Sequence, residues 1–207
     1  DPHINLGVAL KDHNRLNDAG AVLQRAINLD RNRPDAWYNL GLIFQRQGLL
    51  EDAVKSYRQA VQLQPDYGDA HTNLGTVLVL QKQFDAAQTH FRQALAINPS
   101  SREWHMNLAS LLLRQGDFAR GWDAFEWRWK DGPPALAANL PLWDGSDLRG
   151  KTIVLQAEQG LGDTLQFVRY APLLKQRGAT VVLESQPALV PLLSTVPADQ
   201  AAPLDQI

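Results

Sequence analysis

The chain has 207 residues, a formal net charge of −2 (20 Lys plus Arg against 22 Asp plus Glu) and no cysteine. The near balance of charge disfavours a nucleic acid or a membrane surface as the main partner, and the lack of cysteine excludes disulfides, thiolate catalysis and Cys-ligated zinc. Because no apolar run approaches the roughly 20 residues that cross a bilayer, we expect a cytoplasmic protein, and the start at Asp1 without Met is typical of a piece of a larger one.

A 34-residue period organises the first two thirds of the sequence. Small residues recur at two registers, and large apolar residues at a third: Gly7, Gly41, Gly75 and Ala109; Ala19, Ala53, Ala87 and Gly121; Leu23, Tyr57, Phe91 and Phe125. Small side chains allow two helices to approach closely, while large ones fill the space between helix pairs. The period therefore predicts stacked pairs of helices, three of them closed by Pro65, Pro99 and Pro133.

These registers resemble the tetratricopeptide repeat family over residues 1–133. The turn between the two helices of a pair falls at Asn14, Gly48, Lys82 and Gly116. The units are 1–33, 34–67, 68–101 and a degenerate 102–133. The resemblance implies a mainly α fold, a right-handed solenoid or superhelix whose inner groove binds proteins.

One polar residue recurs without exception in the first helix of each unit, as Asn5, Asn39, Asn73 and Asn107. An amide has a donor and an acceptor, so it pairs with the main chain of an extended peptide of any sequence. In the family this register faces the groove, where Tyr38 and Thr72 would lie alongside. The row resembles that of O-linked N-acetylglucosamine transferases. The alternative is that each Asn bonds to the backbone of a neighbouring helix.

Acidic residues occupy the groove positions where chaperone-binding repeat proteins carry Lys and Arg. These positions hold Asp35, Asp69 and Glu103. A role in capturing the C-terminal carboxylate of a chaperone is therefore disfavoured.

Four tryptophans and three prolines are concentrated between Gly116 and Trp143. Large aromatic side chains cover the exposed apolar face of a terminal repeat, which favours a cap and domain joint, with 134–150 as linker. The alternative is a platform for stacking a sugar or base on Glu126–Trp129. Alternating residues on a helix do not share one face, which disfavours that alternative.

Residues 151–207 have the pattern of a short α/β segment. Strands are predicted at 152–156 and 179–184, with a helix over 164–177 between them, and a short helix at 187–193. This βαβ order predicts two parallel strands. An open strand edge is ordinarily paired, so we expect packing on the last repeat or a homodimer through this segment.

The motifs Leu142-Trp-Asp-Gly and Ala157-Glu-Gln-Gly-Leu-Gly-Asp resemble the start of a glycosyltransferase region in bacterial repeat proteins, related to the Rossmann-like heptosyltransferases. The resemblance implies that Asp163 acts as general base near the acceptor, in a substrate loop containing Gln159, Gly160 and Gly162. The alternative is that Asp163 caps a helix. Leu165 replaces the third glycine of a dinucleotide motif, which disfavours Glu184 as a ribose ligand.

Two functions remain open from the sequence. The first is an interaction module that recruits protein substrate to a glycosyltransferase, whose sugar nucleotide would be a cofactor of the full-length protein and not of this segment. The alternative is a structural scaffold that assembles with itself. The five histidines are interpreted as packing residues, so no metal is predicted, and the segment by itself is expected to lack transferase activity.

Overall fold

Two units make up the chain in the computed structural model, Asp1–Lys130 and Asp131–Ile207. The structure describes residues 1–130, 140–158 and 160–203. Three residues that the sequence analysis singled out, Pro133, Pro134 and Gln159, lie outside the described residues.

The first unit consists of stacked helix pairs, as the period predicts. Their bounds are α1 Pro2–Asp12, α2 Leu16–Leu29, α3 Pro34–Arg46, α4 Leu50–Leu63, α5 Gly68–Leu80, α6 Phe84–Ile97, α7 Arg102–Arg114 and α8 Phe118–Phe125. Repeat 1 is α1 with α2, repeat 2 is α3 with α4, repeat 3 is α5 with α6, and repeat 4 is α7 with α8.

In repeats 1 to 3, a glycine on the first helix faces a large residue sixteen positions later on the second helix. If a Cβ atom were added to Gly7 it would lie 2.6 Å from the Leu23 side chain, and one added to Gly75 would lie 2.6 Å from the Phe91 ring. The helices are therefore closer than any side chain at these glycines permits. Both residues of this contact recur at the 34-residue period, because the same close approach recurs in successive helix pairs.

The turns between paired helices share one backbone conformation. Asn14, Gly48, Lys82 and Gly116 all have positive φ, between 58° and 81°. Glycine adopts this left-handed conformation without strain, and asparagine tolerates it better than most residues. Lys82 is the one long side chain among these four turn residues.

The first helices of neighbouring repeats contact one another, α1 with α3, α3 with α5 and α5 with α7. Contacts between the second helices are sparser. Elements that lie closer together line the inner side of a curved stack, so the first helices form the inner wall.

The last repeat ends in aromatic packing. A 3₁₀ turn, Glu126–Trp129, follows α8, and the Trp127 ring stacks on His105 with centroids 3.8 Å apart. The Arg128 guanidinium lies 4.0 Å from the Trp129 ring centroid. These contacts give Trp127 and Trp129 a packing role within the repeat, whereas Trp122 is 47% exposed.

The second unit contains a parallel sheet in the order β1-β2-β3, formed by Thr152–Gln156, Thr180–Ser185 and Gln200–Pro203. The sequence predicted two strands in this unit, and the structure has three among the described residues. The sequence Gln-Ala-Ala-Pro has no β-branched residue, and pairing with β2 specifies the strand instead. Asp199 initiates that pairing, since its main-chain N–H donates to Val181 O and its carboxylate accepts from Val181 N, both at 2.8 Å.

The expected single helix over 164–177 is interrupted. Helix α9, Leu161–Phe167, is followed by a 3₁₀ turn and by α10, Ala171–Gln176; α11 covers Val190–Leu193. Pro172 lies in the first turn of α10 and has no N–H to continue the bonding from α9. The helix also begins earlier than expected, so Gly160 is its N-cap and Asp163 lies inside the first turn. The capping role considered for Asp163 is wrong.

Among the described residues, no helix has the length and apolar character needed to cross a membrane.

Candidate binding groove of the first unit

Each of the inner helices α3, α5 and α7 places a carboxylate and a ladder asparagine four residues apart. The pairs are Asp35 with Asn39, Asp69 with Asn73, and Glu103 with Asn107. Residues four apart share a helix face. The inner wall therefore carries an amide row and, one turn nearer the helix N-termini, an acidic row.

Asn39 is engaged within the protein. Its side chain is buried, with 8% exposure, and its Nδ2 donates to the Asp35 carbonyl at 2.8 Å. Its Oδ1 accepts from Lys11 Nζ at 3.2 Å. Asn39 links repeats 1 and 2 through the Lys11 side chain. Its bond to main chain is within α3 itself and not to a neighbouring helix, which the packing alternative predicted.

Asn73 links repeats 2 and 3 in a different way. It is half-buried, and its Nδ2 donates to the Tyr38 hydroxyl at 3.1 Å. Neither Nδ2 nor Oδ1 bonds to main chain in the part of the chain that the structure describes. Asn73 thus presents an amide together with a phenol on the inner wall.

Asn107 and Asn5 are the ladder residues without a side-chain hydrogen bond in the described ranges. Asn107 is half-buried and Asn5 is exposed. Neither side chain bonds to another of the residues described. The four asparagines therefore share a register and differ in burial and bonding.

Thr72, predicted to lie in the groove, has its hydroxyl bonded within its own helix. It is 4% exposed and donates to the Gly68 carbonyl at 3.0 Å. Thr72 supports α5, whereas Tyr38 and Asn73 are half-buried on the wall.

Two tyrosines form the centre of the wall. The rings of Tyr38 and Tyr67 lie 4.8 Å apart between centroids. Burial raises the pKa of Tyr38, and the charges of Asp69 and Glu103 raise it further, while the bond from Asn73 opposes them. Both phenols stay neutral at physiological pH, so the wall presents hydroxyls and ring faces.

The acidic row is only partly neutralised. Arg33 pairs with Asp35 at 2.8 Å and with Asp1 at 3.6 Å. Asp69 and Glu103 are exposed and take part in no ion pair over residues 1–130, 140–158 and 160–203. Repeats 3 and 4 therefore carry the unneutralised end of the row.

Sequence reasoning missed a ring-to-carbonyl bond that recurs at the starts of α3, α5 and α7. Trp37 Nε1 donates to Arg31 O at 2.9 Å, and the Nε2 atoms of His71 and His105 lie 3.0 and 2.9 Å from Pro65 O and Pro99 O. The 34-residue period could have revealed this bond, since the three rings are spaced 34 residues apart and so are the three residues whose carbonyls they contact. It also missed Lys11 and Tyr67 as wall residues, which have no counterpart in other repeats.

In the second unit, the predicted substrate loop is exposed. Gly160, Gly162 and Asp163 are all on the surface. A cavity of about 370 Å³ opens at the carboxyl ends of β1 and β2, where parallel sheets ordinarily bind ligands. Thr164 and the buried Glu184 line it, and Asp163 does not.

Metal binding has no support in the described ranges: no group of three or more His, Asp or Glu side chains is placed to hold an ion.

Comparisons with known proteins identify the repeats. Residues 33–100 match the tetratricopeptide repeat family, and residues 7–48 match a TPR repeat. The chain is 40% identical over 63 residues to protein FlbA of Caulobacter vibrioides, a stretch that covers 28% of this chain and 10% of FlbA. This chain therefore spans a small part of that relative's length.

Solved structures show the same fold in the first unit. YrrB, described as a TPR protein with an unusual peptide-binding site, is 25% identical with a TM-score of 0.59, and the match covers 66% of this chain and 71% of YrrB. MamA from Desulfovibrio magneticus RS-1 is 20% identical with a TM-score of 0.56, covering 60% and 70%.

Proposed function

Residues 7–100 are tetratricopeptide repeats, and from this premise we propose that the chain is a protein-binding module that holds an extended polypeptide along its inner wall. The observation that carries the proposal is the half-buried amide of Asn73 beside the Tyr38 hydroxyl, with Asn107 at the same register of the next repeat. YrrB, which has the same fold and is described as having a peptide-binding site, adds support.

The spacing of the wall fits an extended chain. Packed helices lie about 8–10 Å apart, so successive ladder positions recur at about that distance. An extended peptide advances about 3.3 Å per residue, which brings a main-chain amide to each ladder position every third residue or so. Asn73 and Asn107 would then each bond to the peptide backbone. Binding of this kind tolerates many sequences.

The test is peptide binding by Asn73→Ala and Asn107→Ala variants of the whole chain. The probe is a fluorescein-labelled pool of sequence-randomised decapeptides, followed by anisotropy. Loss of one amide pair is expected to weaken binding about fivefold to tenfold per site. The matched control is Asn28→Ala, because Asn28 is an exposed asparagine on the second helix of repeat 1.

A second probe separates main-chain recognition from side-chain recognition. The same pool with N-methylated backbone amides loses its main-chain donors, and we expect it to bind no better to the native chain than to the double variant. Equal binding of both pools to the native chain contradicts the proposal. So does equal binding of the native chain and the Asn73→Ala, Asn107→Ala variant.

We further propose that this module is the substrate-recruiting arm of a glycosyltransferase. The motifs around Leu142 and Gly160 support it, together with the parallel sheet. In this proposal the second unit begins a Rossmann-like lobe, Asp163 is the general base, and a sugar nucleotide binds the full-length enzyme. Transfer of labelled sugar to a protein by the complete gene product tests it, with Asp163→Asn expected to abolish turnover. A fully active variant contradicts the role of Asp163.

Self-assembly is a second candidate, favoured by exposed apolar residues. Phe118 is 61% and Trp122 is 47% exposed, and they are four apart on α8. In the second unit, β1 pairs on one side with β2, and its other side is an edge of the described sheet. Light scattering over a hundredfold range of concentration tests this candidate. A mass that stays at one 23.0 kDa chain contradicts it.

A further inference from the structure

The N-terminal rim of the groove, formed by the first turns of α3, α5 and α7, is unequally charged along its length. At the repeat 1 and 2 end, Arg33 forms ion pairs with Asp35 and with Asp1. At the repeat 3 and 4 end, Asp69 and Glu103 have exposed carboxylates without an ion pair to any residue described. Arg102 also lies in the first turn of α7; it has an interaction of its own and forms no ion pair with Asp69 or Glu103 among the described residues. The unpaired carboxylates of the rim are therefore at the repeat 3 and 4 end.

Those two carboxylates lie near the tyrosine pair at the centre of the wall. Asp69 shares a helix face with Asn73, which bonds to the Tyr38 hydroxyl at 3.1 Å. The charges of Asp69 and Glu103 both raise the pKa of Tyr38. One aromatic surface thus receives the field of acidic side chains from two successive repeats.

Three basic side chains of the inner helices, near the helix C-termini, are held away from this rim. Lys11 Nζ bonds to the Asn39 amide oxygen at 3.2 Å, and Arg46 Nη1 donates to the Lys11 carbonyl at 3.0 Å. The Arg114 guanidinium lies over the Phe84 ring, 5.8 Å from its centroid. These contacts account for the basic groups at the opposite ends of the inner helices. They leave Asp69 and Glu103 without an ion pair on the rim of repeats 3 and 4, among the residues that the structure describes.

Resting on the proposed function, we propose that the occupant of the groove is an extended segment with an arginine or lysine side chain that docks against Tyr38 and Tyr67 between Asp69 and Glu103. Charge complementarity selects this occupant, since the groove's unneutralised groups are carboxylates. An acidic segment, such as a chaperone C-terminus, would meet like charge at this site.

Guanidinium groups suit the site better than ammonium groups. A guanidinium stacks on an aromatic face and donates in its plane to a carboxylate at the same time. Its bonds to carboxylates are charge-assisted and therefore stronger than the amide bonds elsewhere along the wall. The rim would select for a basic side chain in the peptide, and the amide row would accept any sequence in the rest of it.

The experiment uses three labelled decapeptides in one Ser/Thr/Gly background with arginine, citrulline or glutamate at the central position. Citrulline keeps the shape of arginine and removes its charge. We expect the arginine peptide to bind the native chain about tenfold more tightly than the citrulline peptide, and the glutamate peptide to bind more weakly still. The arginine advantage should shrink as salt rises from about 0.05 to about 0.5 M.

The matched variants are Asp69→Asn with Glu103→Gln, and Asp85→Asn with Asp123→Asn as control. Asp85 and Asp123 are exposed carboxylates on α6 and α8, the second helices of the same two repeats. The first pair should equalise arginine and citrulline binding, while the control pair should preserve the difference. Far-UV circular dichroism of both variants confirms that the helices are intact.

The outcomes separate this inference from the proposed function. Equal binding of arginine and citrulline peptides by the native chain overturns the inference, and if Asn73→Ala still weakens both, the groove itself stands. A difference that survives Asp69→Asn with Glu103→Gln also overturns it. If neither Asn73→Ala nor N-methylation affects binding of any peptide, the proposed groove fails as a whole.

Discussion

A Cβ atom placed on Gly41 would lie 2.6 Å from the Tyr57 ring, closer than two carbon atoms approach without strain. Tyr57 is fully buried, and its hydroxyl donates to Gln45 Oε1 at 2.7 Å. The ring is therefore held at both its face and its hydroxyl and cannot move away. This contact sets the separation of α3 and α4, and the equivalent pairs do the same in repeats 1 and 3.

Gly41→Ala should destabilise the first unit. The gain of about 1 kcal/mol in helix propensity is outweighed by about 1–3 kcal/mol of overpacking strain. Gly20→Ala is the matched control, because the nearest atom to its added Cβ is Ile43 Cγ2 at 3.9 Å. We expect Gly20→Ala to raise the midpoint of urea unfolding, followed by circular dichroism, and Gly41→Ala to lower it. A midpoint raised by both changes would mean that Tyr57 relaxes without cost.

Lys82→Gly should stabilise the turn of repeat 3. Lys82 has φ of +60°, a conformation that costs non-glycine residues about 1–2 kcal/mol. Part of that gain is lost to the greater entropy of glycine in the unfolded chain, so a net gain below about 1 kcal/mol is expected. Thermal unfolding measures it. Gly48→Ala, at the equivalent turn of repeat 2, should shift the midpoint in the opposite direction, and a lowered midpoint for Lys82→Gly would refute the argument.

The ladder asparagines should differ in their effect on stability. Asn39→Ala removes a buried amide that serves two partners, and it should cost about 1–2 kcal/mol of unfolding free energy. Asn5→Ala, at the same register and exposed, should change it by less than about 0.5 kcal/mol. Urea unfolding of both variants is the measurement. Equal costs would show that the Lys11–Asn39–Asp35 contacts contribute nothing net.

A partly buried histidine pair should make repeat 3 sensitive to acid. The Nδ1 atoms of His71 and His90 lie 3.0 Å apart, and His71 Nε2 must donate to Pro65 O because a carbonyl only accepts. His71 Nδ1 then accepts a hydrogen bond from His90 Nδ1 while both rings are neutral. Protonating both rings would place two N–H groups against each other.

The direction of the pH effect follows from His90. Burial lowers the pKa of His90 below its ordinary 6.5, the His71 and Arg58 charges lower it further, and the bond with Gln93 opposes them. Below pH 6.5 the unfolded chain therefore binds more protons than the folded one, so stability falls as the pH drops. Thermal midpoints between about pH 7.5 and 5 should fall more in the native chain than in His90→Gln. Exposed His13→Gln is the control, and parallel curves for native chain and His90→Gln would contradict the prediction.

Much of the first unit followed from periodicity because its contacts are local. Gly7, Gly41 and Gly75 each meet a residue sixteen positions later, so a single repeat contains both sides of its own close contact. The turn residues Asn14, Gly48, Lys82 and Gly116 were identified for the same reason. The burial of Thr72 and Asn39 was not predicted from the sequence, because burial depends on which faces of neighbouring helices pack together.

The second unit was less predictable because its determinants are distant in sequence. Strand β3 is weak in its own residues and exists through bonds of Asp199 to Val181, eighteen positions earlier. The start of α9 at Leu161 also moved Asp163 from a capping position into the helix. Local propensity carries no information about either event.

The sequence by itself determined that helix pairs repeat every 34 residues, where each pair turns, and that an asparagine recurs on every first helix, since these features depend on contacts within one repeat. Tertiary structure alone decided that Asn39 is buried and bonded while Asn73 presents its amide with Tyr38, and that the acidic row is neutralised by Arg33 at one end and not at the other. The physical reason is that identical registers acquire different neighbours once the repeats stack, and burial and charge are properties of those neighbours.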